Sequence, residues 1–99
     1  MEVVRTALFS QRLQQISDIQ ATVRIDAAAQ RMSRGIFGDW KALGRGVMEA
    51  RIHYGPGYRI YYSLRDGRVV LLLLCGDKRT QRRDIAQAII LSETLKLER

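Results

Sequence analysis

The run Val69-Val70-Leu71-Leu72-Leu73-Leu74 constrains this chain more than any other stretch. It is set between Asp66-Gly67 and Cys75-Gly76, is too short to span a membrane, and lacks the polar alternation of a half-exposed strand. It predicts an interior strand covered, at least in part, on both faces. The preceding sequence supplies its neighbours. From Asp39 onward the apolar period is two, and glycines at 44, 46, 55, 57 and 67 divide the chain into strand-length pieces. In Val47 to Tyr54, Met48, Ala50, Ile52 and Tyr54 share one face, with Glu49, Arg51 and His53 on the other. Gly55-Pro56-Gly57 makes a turn. In Tyr58 to Arg65, Tyr58, Ile60, Tyr62 and Leu64 face one way while Arg59, Tyr61, Ser63 and Arg65 face the other.

The first third has a helical period. A β-prone run, Glu2 to Arg5, leads to Thr6, an N-cap candidate for a helix carrying Phe9, Leu13 and Ile16. After Ser17 and Asp18, a second helix groups Ala21, Ile25, Ala28 or Ala29, and Met32, and Gly35 ends it. From about Thr80 to Leu97, a closing helix aligns Ile85, Ala88, Ile89, Ser92 and Leu95. The expected fold is a single α+β domain over 1–99: an antiparallel meander of about four to five strands, an N-terminal helical hairpin and a C-terminal helix.

Cysteine and charge narrow the function. Cys75 is the sole cysteine, and no Cys/His cluster has metal-ligand spacing, so disulfide scaffolds and zinc modules are excluded and no metal or cofactor is expected. Met1 to Ser10 contains no apolar run long enough for a signal peptide, which predicts a cytoplasmic protein with no membrane partner. There are 17 Lys plus Arg against 10 Asp plus Glu, a net charge of +7, which favours a polyanion or an acidic protein as partner. Residues 51 to 83 carry eight basic residues against Asp66 and Asp77, and 14 of the 17 cations are Arg, suited to two-pronged grip on phosphate or carboxylate.

Pairing through the Gly-Pro-Gly turn brings Glu49, Arg51 and His53 opposite Arg59 and Tyr61. Two guanidiniums, an acid, an imidazole and a phenol resemble a phosphate site with proton donors and acceptors. A surface network in which Glu49 pairs with Arg51 or Arg59 accounts for the same residues. Beyond the interior strand, Gly76-Asp77-Lys78-Arg79-Thr80-Gln81 leads into a helix start, where free N–H groups favour an anion; capping by Asp77 or Thr80 is the structural alternative. Trp40 reads as a packing anchor.

The string Glu49-Ala50-Arg51-Ile52-His53-Tyr54-Gly55-Pro56-Gly57-Tyr58-Arg59-Ile60-Tyr61-Tyr62, followed by Leu71 to Gln81 with its Gly76-Asp77-Lys78, resembles the RelE/ParE toxin superfamily. It is most similar to the HigB-type branch labelled addiction module killer proteins. Phe37-Gly38-Asp39 and Asp84-Ile85-Ala86 extend the resemblance over nearly the whole chain; many relatives have two glycines before Asp-Lys, where Cys75 precedes Gly76 here. The resemblance implies a RelE-like fold and the toxin of a type II toxin–antitoxin system. It would be an mRNA interferase, a metal-independent endoribonuclease that cuts mRNA on the ribosome and inhibits translation. It further implies a cognate antitoxin, a helix-turn-helix DNA-binding protein through which alone operator DNA is reached. Carried over by position, Arg59 holds the scissile phosphate, Arg51 is the second clamp, Lys78 stabilises the phosphorane or protonates the leaving oxygen, and Glu49 or His53 takes the 2′-hydroxyl proton. Tyr61 is expected to stack on a base or donate to the RNA, with Lys41, Arg79 and Gln81 as further substrate contacts. A ParE-like, non-enzymatic inhibitor of gyrase and an inactive antitoxin-binding module are the alternatives on the same fold.

Overall fold

A computed structural model describes residues 1–97. Strand β1 (Glu2–Arg5) leads into helices α1 (Ala7–Gln15) and α2 (Ile19–Met32). Strands β2 (Asp39–Gly44), β3 (Val47–Ile52), β4 (Tyr58–Arg65) and β5 (Val69–Asp77) follow, then a short 3₁₀ turn (Lys78–Thr80) and helix α3 (Gln81–Leu97). Residues 98 and 99 of the expected 1–99 domain lie outside the described part. The fold is α+β with one five-stranded sheet in the order β1-β5-β4-β3-β2.

Two expectations are corrected. The chain opens on β1, so the helical hairpin is not its N-terminal element. The sheet is mixed rather than wholly antiparallel, because β1 runs parallel to β5, with Val3 opposite Val70 and Arg5 opposite Leu72. The β1 strand gives the apolar run its second neighbour, which makes β5 the interior strand its sequence requires.

Each helix end has a local cause. Thr6 caps α1 by accepting from the Phe9 amide at 3.0 Å, and its hydroxyl donates to the Leu73 carbonyl at 2.7 Å. Asp18 caps α2, accepting from the amides of Gln20 and Ala21. Gly35 (φ +78°) closes α2 in a left-handed turn in which the Ile36 amide donates back to the Arg31 carbonyl.

The helices cover both sheet faces. Phe9 of α1 and Ala21, Ile25, Ala28, Ala29 and Met32 of α2 pack against Ala50, Ile60, Tyr62, Val70 and Leu72. On the other face Ala88 of α3, with Ile85 and Ile89, meets Val47, Tyr61, Leu73 and Leu74. A bulge explains why Leu73 and Leu74 share that side: Tyr61 pairs with Leu74 but Tyr62 with Leu72, leaving Leu73 as the extra residue. The Thr6 hydroxyl satisfies the carbonyl at this irregularity. Strict alternation along β5 does not reveal the bulge.

Trp40 is 51% exposed on the edge strand β2, not the packing anchor expected of it. No helix among the described residues is long and apolar enough to cross a membrane.

Candidate active site

Pairing across four strands builds the site from two adjacent rows. The first runs Asp39, Arg51, Arg59, Gly76, and the second Lys41, Glu49, Tyr61, Leu74. Residues two apart on a strand share a face, so both rows lie on the side that α3 covers. Helix α3 packs over the second row, and Gln81, its first residue, donates to Glu49 at 2.9 Å. The first row extends past that helix start. There Arg51, His53, Arg59, Lys78 and the Tyr54–Gly57 turn line an open basin of about 420 Å³. Among the described residues no carboxylate lines it.

Glu49 is the buried centre of the cluster. Its Oε1 accepts from Arg59 Nε at 2.8 Å and from Gln81, while Oε2 lies 3.9 Å from Lys41 Nζ. Arg59, 9% exposed, also donates through Nη1 to the Gly57 carbonyl at 2.8 Å. Of the five N–H donors a guanidinium carries, these bonds use two, leaving the others for a ligand in the basin. The Gly-Pro-Gly turn contributes directly to this geometry: Gly57 has φ +83°, and a Cβ there would sit 3.2 Å from Arg59 Nη1.

The opposite wall depends on Asp39. One carboxylate oxygen accepts from Arg51 Nη2 at 3.1 Å and the other bonds His53 Nε2 at 2.6 Å. A carboxylate only accepts, so Nε2 carries a proton in this pair. The hydrogen bond from His53, joined by Arg51, holds the Asp39 carboxyl below its ordinary 3.8. Asp39 was not assigned a role from the sequence; its partnership with Arg51 follows only once the register of β2 is known.

The end of β5 is braced from the far side of the sequence. Asp84 is wholly buried, accepting from Arg12 Nη2 of α1 at 3.0 Å and from the Thr80 hydroxyl at 2.7 Å. A Cβ on Gly76 would run into its carboxylate, so only glycine lets β5 pass here. Thr80 ends the turn that begins with Lys78, so this buried contact positions the lysine at the basin.

The expected site residues therefore separate into groups. Arg51, His53, Arg59 and Lys78 line the basin, and Glu49 and Gln81 stand behind Arg59. Lys41 flanks Glu49 from the edge strand, and Arg79, 81% exposed in its side chain, is clasped by Asp77 at 2.8 Å outside the basin. Tyr61 is fully buried in the α3-side core and offers no ring face for stacking. Burial, with the Glu49 and Asp84 charges, pushes its phenol pKa well above the ordinary range.

Among the described residues, the buried side-chain polar atoms lacking a hydrogen-bond partner are Glu49 Oε2, Arg51 Nε and Tyr61 Oη. All three belong to these two rows. Such groups cost stability in a core and concentrate where function requires them.

No family model matches the chain. A protein of Haemophilus influenzae, described as an uncharacterized protein, is 38% identical over 97 residues, covering 98% of each chain. At that identity and coverage, the chain belongs to the same family as this Haemophilus protein.

Proposed function

We propose that this chain is a RelE-like, HigB-type toxin of a type II toxin–antitoxin pair, acting in the cytoplasm as a metal-independent endoribonuclease on translated mRNA. The observation that carries this reading is the basin itself: three cations and a carboxylate-backed imidazole around about 420 Å³, with no acid in the lining. A phosphodiester is the ligand this arrangement suits, and proton transfer is the chemistry the imidazole adds.

The steps follow from the side chains. Arg59, oriented by Glu49 and the Gly57 carbonyl, and Arg51, oriented by Asp39, grip the non-bridging oxygens and stabilise charge as the phosphorane forms. The ribose 2′-oxygen attacks phosphorus and its proton passes to Nδ1 of His53. The bond from phosphorus to the 5′-oxygen breaks, and Lys78 supplies the proton that this oxygen takes. The products are a 2′,3′-cyclic phosphate and a 5′-hydroxyl. Glu49 was a candidate base alongside His53; its complete burial and its bonds to Arg59 and Gln81 favour the positioning role, and leave the base to His53.

End chemistry tests the reaction. Message recovered after induction should carry new 5′-hydroxyl ends, labelled by polynucleotide kinase without prior phosphatase, and a 2′-deoxy substitution at the cut site should block cleavage. New ends bearing 5′-phosphate would contradict this mechanism.

A further inference from the structure

A second cavity, about 260 Å³, adjoins the basin and shares Arg51 and His53 as a common wall. Ala28, Ile36, Phe37 and Ile52 give it an apolar lining, with Arg31 and Asp39 adding a donor and an acceptor. We propose that this cleft receives one nucleobase of the RNA strand whose phosphate occupies the basin, an inference that rests on the ribonuclease reading above.

Four observations point to a base. Arg51 and His53 line both cavities, the basin on the α3 side of the sheet and the cleft on the α2 side beside Ala28, Ala50 and Ile52, so a strand whose phosphate sits in the basin would pass the end of β3 to place a base in the cleft. The cleft is smaller than the ~300–1,000 Å³ of pockets that hold a whole drug-sized ligand, so it suits one ring system of a larger molecule. Ile36 is 49% exposed although it lines a cavity with buried Ala28, and a base would remove that apolar surface from water. Phe37 is held in place by stacking on Tyr62, with centroids 5.1 Å apart and planes 8° from parallel, so the wall it contributes is already ordered. The shared wall is also fixed, because Asp39 binds Arg51 and His53 together. A base that meets Arg31 and Asp39 with its edge would be selected by its donor and acceptor pattern, which makes this cleft the source of sequence preference at the cut.

Titration of the ¹⁵N-labelled chain with 2′-deoxy dinucleotides, which bind without being cut, tests the assignment against an abasic dinucleotide of equal charge. The dinucleotides should shift the amides of Ile36, Phe37, Gly38 and Ile52 together with those of the basin, while the abasic compound shifts the basin alone. Ile36→Ser should weaken dinucleotide binding about tenfold, towards the abasic value, with Ile36→Leu retaining it. Shifts confined to the basin for every compound would overturn the base cleft while leaving the ribonuclease reading in place. Absence of shifts in both cavities would overturn both proposals.

Discussion

At the scale of single residues, the site is a set of charges that position one another. Arg59 and Glu49 form a buried pair, and removing one member leaves the other unpaired in a low-dielectric setting, a loss of ~3–5 kcal/mol. Arg59→Ala should therefore lose both activity and stability. Adding Glu49→Gln to it should restore much of the stability, measured by denaturant unfolding, and none of the cleavage. Arg51 and His53 are more exposed, so their alanine variants separate chemistry from folding more cleanly. His53→Ala should lower the cleavage rate ~10²–10⁴-fold. Asp39 and Asp77 both titrate below 3.8 in the fold, held down chiefly by His53 and Arg79 respectively. Their contribution to stability is present above the unfolded carboxylate value and is lost as pH falls through the folded one, so acid below about pH 4 should loosen the Asp39 wall of the basin and the Asp77–Arg79 pair outside it. Cys75 is a further test of burial: its thiol is pushed up to about 12, chiefly by burial, so alkylation at neutral pH should proceed only through unfolding.

At the scale of elements, local pattern and non-local pairing account for different parts of the fold. The alternation in Val47 to Tyr54 and Tyr58 to Arg65 already puts Glu49, Arg51, Arg59 and Tyr61 on one face, but not their register: His53 and Tyr54 join the turn, so Ile52 rather than Tyr54 pairs with Tyr58 and Arg51 comes opposite Arg59. Thr6, Asp18 and Gly35 likewise fix helix ends through neighbours within a few residues. The parallel pairing of β1 with β5 joins residues 67 positions apart, and no short-range pattern encodes it. The bulge at Leu73 is equally silent, since one apolar residue more in an apolar run leaves no mark. Tyr61 differs from its sequence expectation for the same reason: alternation puts it on the polar side of β4, but α3 lies over that part of the face. The Arg12–Asp84 pair spans 72 positions, and although Asp84 belongs to the Asp-Ile-Ala string of the resemblance, nothing near Arg12 marks it as the partner. That pair gives Gly76 its meaning. Gly76→Ala should cost ~1–3 kcal/mol by displacing the Asp84 carboxylate, and should slow cleavage by shifting Lys78.

At the scale of the molecule, the net charge of +7 draws the chain to polyanions and the basin gives that attraction a direction. If Arg51, Arg59 and Lys78 together neutralise the one scissile phosphate, affinity for a 2′-deoxy oligonucleotide should fall with salt at a log–log slope of about −0.7 from the basin. The central claim is that this basin cuts translated message. Its most direct test is to induce the wild-type, Arg51→Ala and His53→Ala proteins in bacterial cells and map the 5′ ends of a reporter message carrying or lacking its start codon. The account predicts new ends inside the reading frame with the wild type alone, and only when the start codon is present. Growth arrest by the wild type with the message intact would contradict it, and would point to a non-enzymatic inhibitor.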